Sequence, residues 1–174
     1  LNTSTGVVTY ALDDTLTATQ GLTASQAATD SFSVTVKDQY NASASANAVF
    51  NITGTNDAPT LTAASQSAQL VEAAAGVSGT SSATITLTKG DVDTGAVVNY
   101  DTSDWTTVSG SSTTFTKTGT YGTATLNTST GVVTYALDDA RTATQGLTAG
   151  QAATDSFSVV VTDGATSTSA NAVF

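Results

Sequence analysis

Apolar residues in this chain recur at every second position over short runs, and the runs are separated by clusters of Ser, Thr, Asn, Asp and Gly. That is the period of a strand with one buried face, not the 3.6-residue period of a helix. In residues 31–37, Phe32, Val34 and Val36 alternate with Ser, Thr and Lys; in residues 82–88, Ala83, Ile85 and Leu87 alternate with Ser and Thr. The pattern predicts further strands at residues 96–100, 121–126, 131–137 and 170–174. Residues 127–131, Asn-Thr-Ser-Thr-Gly, read as a hairpin turn between two of them. A short helical turn is expected at residues 147–153. Strands at these intervals predict an all-β fold, an antiparallel β-sandwich of immunoglobulin-like size class.

The same patterns return at a fixed distance. Residues 1–36 and 126–161 align at an offset of 125 and differ at four positions: Thr15/Ala140, Leu16/Arg141, Ser25/Gly150 and Thr35/Val160. Ala-Asn-Ala-Val-Phe then recurs at residues 46–50 and 170–174, one residue out of step. A solenoid unit of about 20–50 residues leans on its neighbours; a period this long is a whole domain used as a bead. The expected organisation is a C-terminal part of one repeat plus a junction at residues 1–57 and a nearly complete second repeat at residues 58–174, as in a window cut from a longer array.

Composition narrows the partners. Fourteen acidic and four basic residues give a net charge of −10, and the four cations, Lys37, Lys89, Lys117 and Arg141, are scattered. Nucleic acid and anionic membrane both call for Lys/Arg patches, so neither is expected as a partner. No run of apolar residues approaches the length of a membrane-spanning helix. The chain has no Cys, so nothing is stapled by disulfides. Weak hydrophobicity with acidic charge is also a mark of disorder, but the alternating strands argue against it.

Two longer stretches carry a resemblance. Gly-Thr-Ala-Thr-Leu-Asn-Thr-Ser-Thr-Gly-Val-Val-Thr-Tyr-Ala-Leu-Asp-Asp at residues 122–139 is followed by Ala-Thr-Asp-Ser-Phe-Ser-Val-Val-Val-Thr-Asp-Gly at residues 153–164. The first copy adds Ile-Thr-Gly-Thr-Asn-Asp-Ala-Pro at residues 52–59. Together, at this spacing, they resemble the VCBS repeat over nearly the whole chain. One departure is the loop after Asp38, a residue longer than its counterpart after Asp163. The resemblance implies cadherin-like or immunoglobulin-like β-sandwich repeats in tandem, in very large secreted bacterial surface proteins that include RTX-type adhesins exported by type I secretion. It implies an extracellular, cell-surface location and neighbouring repeats of the same chain as first partners.

Calcium takes about six to eight oxygen ligands at once, and the junction offers candidates. Asn56 and Asp57 precede Pro59, the sole proline, which stiffens a linker. Glu72, the only Glu, opens the following bead, and Asp91 and Asp93 stand two apart in Gly-Asp-Val-Asp-Thr-Gly near a turn. Asp38 closes the last long strand of the preceding bead. The set, Asp38, Asn56, Asp57, Glu72, Asp91 and Asp93, is similar to cadherin junctions, where acidic residues of two domains and the linker share calcium. Two carboxylates about 4 Å apart repel by roughly 4 kcal/mol at an effective dielectric of about 20, which a cation offsets. The plainer alternative is that Asp and Asn sit here as turn residues that accept hydrogen bonds from their own backbone. Turn capping is the expected role of Asp13-Asp14 and Asp138-Asp139, and a buried hydrogen bond to the preceding loop that of Asp30 and Asp155.

With neither His nor Cys, Ser-His-Asp, Cys-His and His-metal chemistry are unavailable, and the carboxylates read as repeated loop groups, so no enzyme is expected. The leading expectation is a structural extender of a secreted adhesin or surface fibre, rigidified by calcium and supporting attachment or biofilm formation. A second reading is a glycan-binding module, with Tyr100, Trp105 and Tyr121 as exposed aromatics, against which stands their use as core. A third is a self-assembling filament, in which residues 1–50 offer an open edge to a strand from another copy.

Overall fold

A computed structural model describes residues 1–74 and 76–174. The chain is mostly β, and among the described residues every pairing between strands is antiparallel. It divides into two compact units, Leu1–Asp57 with Val92–Ala96, and Ala58–Asp91 with Val97–Phe174.

The first unit is a long hairpin with a short N-terminal wrap. Strands β1 (Ala27–Lys37) and β2 (Ser43–Thr53) pair along their whole length, from Ala27 opposite Thr53 to Lys37 opposite Ser43. A single helical turn, α1 (Thr17–Gln20), precedes them, and Asn2 and Val7 form an isolated bridge. Tyr10, Phe32 and Phe50 cluster, with Tyr10 stacked on Phe50 at 4.9 Å between ring centroids. Their shared face stays open: Phe32 is 47% and Val36 64% exposed.

The second unit has nine further strands among the described residues. They are β3 (Thr60–Ala63), β4 (Ser82–Gly90), β5 (Asn99–Asp101), β6 (Thr106–Thr107), β7 (Thr114–Thr118), β8 (Gly122–Asn127), β9 (Val132–Leu137), β10 (Ser156–Thr162) and β11 (Ser167–Val173). One sheet runs β3-β4-β9-β8-β7-β6 and the other β11-β10-β5. Alternation decides the packing: Ala83, Ile85 and Leu87 from β4, Ala124 and Leu126 from β8, and Val133 and Tyr135 from β9 are buried. From the other sheet come Phe157, Val159, Val161 and Ala172, and the two sets form one cluster. Two sheets sharing one core in this way are compatible with a β-sandwich. Each large apolar side chain so buried contributes about 1.5–3 kcal/mol.

Two expected elements move. The helical turn lies at α2 (Thr142–Gln145), not at residues 147–153. There Gly150 adopts φ +79°, and the Gln151 side chain accepts the Thr148 N–H at 3.0 Å, which bends the chain into a turn. The strand expected at residues 96–100 begins only at Asn99, because the Ala96 N–H closes a turn onto the Asp93 carbonyl at 3.2 Å.

Candidate functional site

The best-organised polar group of the second unit is Asp155, next to the start of β10 and 6% exposed. Its Oδ1 accepts the Thr120 N–H at 2.8 Å. Its Oδ2 accepts the Tyr121 N–H at 2.9 Å and the Tyr135 hydroxyl at 2.6 Å. Its backbone exchanges two hydrogen bonds with Phe174, both 2.9 Å. The approach is so close that a Cβ on Gly119 would lie 2.3 Å from Asp155 Oδ2, which explains the glycine.

Burial pushes the Asp155 carboxyl up, but the Tyr135 hydroxyl and the N–H groups of Tyr121, Thr120 and Gly122 outweigh it and hold the group below the usual carboxylate range. Burial, and next the bond to Asp155, push the Tyr135 hydroxyl up. Near neutral pH the first is therefore ionised and the second protonated. The pair clasps a strand start to the preceding turn and is not poised to carry protons.

Beside this clasp opens a cleft of about 720 Å³. Leu70, Leu137, Leu147 and Phe174 give it an apolar wall, and Gln66 and Gln151 a polar one. Gln66 Oε1 is buried with no hydrogen-bond partner among the described residues. Residues 147–155, identical to residues 22–30 but for Gly150, form one side of the cleft.

The expected calcium ligands divide between the units. Asp38, Asn56, Asp57 and Asp93 belong to the first, Glu72 and Asp91 to the second. Asp38 serves the β1–β2 turn, its Oδ1 accepting the Tyr40 and Ala42 N–H groups at 2.8 and 2.9 Å. Asp163 does the same for the β10–β11 turn, accepting the Ala165 and Thr166 N–H groups, both at 2.7 Å. Asp93 is buried, and its Oδ2 accepts the Asp57 N–H at 3.0 Å. The Asn56 side chain donates to the Asp57 carbonyl at 2.6 Å. Glu72 Oε1 accepts from Gln145 Nε2 at 3.0 Å, and Asp91 is half-buried. These donors are carboxylate and amide oxygens, the chemistry of a hard cation. Among the described residues no group of three or more acidic side chains is gathered to hold a metal ion. Calcium sites also draw on amide and backbone oxygens, which such a grouping leaves out.

The three aromatics do not form one exposed platform. Trp105 is 7% exposed and lies in the core 6.3 Å from Phe157, with Lys117 Nζ 5.7 Å from its ring. Tyr100 on β5 is half-buried beneath Lys89, whose Nζ lies 5.0 Å from the ring. Tyr121 is half-buried on the cleft wall. Trp105 thus serves as core, since its 7% exposure leaves too little of the ring at the surface to stack on a sugar.

Sequence reasoning gave Asp155 its hydrogen-bonded role but missed the Tyr135 partner and the cleft. The signal for the partner was present: a Tyr stands 20 residues before the Asp in both copies, Tyr10/Asp30 and Tyr135/Asp155. The cleft gave no such signal, because its walls come from separated segments. No family model, curated protein or solved structure matches the chain.

Proposed function

We propose that this chain is a spacer, a run of immunoglobulin-like or cadherin-like β-sandwich repeats of VCBS type that extends a secreted bacterial adhesin or surface fibre. The observation that carries this reading is the 125-residue period, 32 of 36 positions identical. Near-copies of one domain suit a spacer, because reach grows with every copy added. The chemistry agrees: no His, no Cys, a net charge of −10, and a buried carboxylate whose oxygens are taken up by structural donors. In this reading Asn56, Asp57, Asp91 and Asp93, with Glu72 and Asp38, contribute to calcium binding near repeat boundaries. Metal that binds only the folded state adds about 2.7 kcal/mol at a concentration one hundred times its Kd.

Arrays of one, two and three periods test the spacer. Their maximum dimension by small-angle X-ray scattering should grow by a constant increment in millimolar calcium; compaction on lengthening would sink the idea. Melting in EDTA and then in calcium tests the metal separately. A rise of several degrees, reduced by D91N/D93N, supports it; superimposable melts remove calcium and leave the spacer standing.

A second reading, self-assembly into a filament, is favoured by the exposed Phe32 and Val36 on the first unit's hairpin. Light scattering over a concentration series distinguishes it: a constant monomer mass counts against assembly.

A further inference from the structure

The polypeptide passes between the two units at three places: from Asp57 to Ala58, from Asp91 to Val92 and from Ala96 to Val97. Residues 92–96 therefore stand inside the second repeat by sequence, between β4 and β5, and inside the first unit by contact. Their shape is set locally. The Ala96 N–H donates to the Asp93 carbonyl at 3.2 Å and Gly95 has φ +80°, which makes residues 93–96 a β-turn with its left-handed residue third. Such a turn gives the amide of its second residue, Thr94, no partner within the turn.

That amide donates instead to the Gly21 carbonyl at 3.1 Å. Gly21 caps the C-terminus of α1, where carbonyls have no intrahelical partner, so each side supplies what the other lacks. Gly21 is buried, and a Cβ on it would lie 2.7 Å from Thr94 Oγ1. Its φ of −81° is open to any residue, so the glycine provides room and not a backbone angle. A second bond holds the start of the segment: Asp93 accepts the Asp57 N–H on Oδ2 at 3.0 Å.

The repeat supplies its own control in α2. The Gly146 N–H donates to the Thr142 carbonyl at 3.0 Å, as that of Gly21 does to Thr17 at 2.9 Å. Yet Gly146 is exposed, and a Cβ on it would meet only its own turn, the Thr142 carbonyl oxygen at 3.3 Å and that of Ala143 at 3.6 Å. The turn forms by itself; what sets Gly21 apart is the segment docked on it.

We infer that Val92–Ala96 is a clip, by which one repeat grips the Thr-Ala-Thr-Gln-Gly turn of the repeat before it and couples the two without metal. Neither bond needs a cation, since one joins backbone to backbone and the other a carboxylate to an N–H. Two hydrogen bonds hold separate molecules together poorly, but a segment tethered at both ends meets its site at an effective concentration of about millimolar. Coupling of this kind rests on the repeat organisation alone; the arrays and the calcium melts above test the spacer and the metal separately.

Four chains in EDTA test the clip: the parent, G21V, T94P and G146V. T94P keeps the turn, in which proline is favoured at the second position, and deletes the N–H given to Gly21. Backbone amide relaxation by NMR gives a rotational correlation time for each unit. In the parent the two units should share one time, and the Thr94 amide should exchange slowly. G21V should speed that exchange by roughly tenfold, a local opening easier by about 1.4 kcal/mol. Both G21V and T94P should split the correlation time into two shorter ones, while G146V, with the same crowding of its own turn, should match the parent. Separate times in the parent, or a single time kept by G21V and T94P, would overturn the inference. Amide protection across β1 and β2 reports whether the first unit stays folded; should G21V lose it, T94P decides, because it alters nothing in residues 1–57.

Discussion

Phe32 and Phe157 hold the same place in the same repeated sequence, yet the first is 47% exposed and the second 2%. Leu1 and Leu126 differ still more, at 64% and 0%. What survives in both units is whatever the sequence can close over short range. Asn2 and Asn127 each accept two N–H groups from the turn that follows, at the same 3.0 and 3.2 Å. The aromatic trio also persists: Tyr10 stacks on Phe50 at 4.9 Å, and Tyr135 on Phe174 at 5.0 Å. The Tyr10 hydroxyl donates to Asp30, as that of Tyr135 does to Asp155. What differs is everything that needs the other sheet. Residues 7–12 of the first copy form no strand, although Val132–Leu137 is one, because Val132–Leu137 pairs with both β4 and β8 and neither has a counterpart beside residues 7–12. The turns and the aromatic clasp are therefore local properties; strand identity and burial belong to the sheet.

The sharpest break in the comparison is F157A against F32A. Emptying the buried site should cost about 3–5 kcal/mol, read as a lower denaturant midpoint by Trp105 fluorescence. F32A, on an open face, should leave that midpoint unmoved.

D155N comes next. An amide offers a donor where the N–H groups of Thr120 and Tyr121 already point, so about 2–3 kcal/mol should be lost from the second unit. D30N removes a bond on a half-open surface, and its effect should be under about 1 kcal/mol.

The same clasp predicts a pH dependence. Asp155 has its carboxyl lowered by folding, so its contribution is present above the unfolded value of about 3.9 and is lost as pH falls through the folded one. Tyr135 is raised, so its contribution is present below about 10 and is lost as pH climbs toward the folded value. Midpoints followed by Trp105 should be flat between these limits and fall on both sides.

The smallest effect is expected at one of the four differences between the copies. Arg141 donates to Asp138 Oδ2 at 3.2 Å and to the Gly119 carbonyl at 2.5 Å, while its counterpart Leu16 is 54% exposed. R141L should destabilise the second unit by at most about 1 kcal/mol; L16R should change nothing in the same melts.

These contrasts show how much of the molecule was legible from its residues. Strands with three apolar residues at period two, such as Phe32-Val34-Val36 and Ala83-Ile85-Leu87, were read directly. β7 was missed because Phe115 is the one apolar residue in Thr-Phe-Thr-Lys-Thr, and β6 because two threonines carry no pattern. The helical turn was misplaced because Thr142–Gln145 shows no amphipathic face, while residues 147–153 carry Leu and Ala that line a cleft instead. Asp38, weighed as a ligand or a turn former, is engaged in turn bonds, as its spacing from Tyr40 and Ala42 allows. The cleft was beyond reach, since nothing along the chain marks residues 66–74 as neighbours of residues 147–155.

The hairpins β1–β2 and β10–β11 share one register: Phe32 faces Ala48 as Phe157 faces Ala172, and Val34 faces Ala46 as Val159 faces Ala170. They are interchangeable parts on one string. Before folding is complete, either hairpin is an acceptable partner for the sheet that receives β10, and tethering holds the rival at an effective concentration of order millimolar. Sorting then falls to order of arrival and to small biases, among them Val160, which pairs with Asp101 where the other copy has Thr35. An array of many such copies would meet this choice at every step, so the fidelity of its assembly would be governed by how quickly each domain closes relative to the appearance of the next.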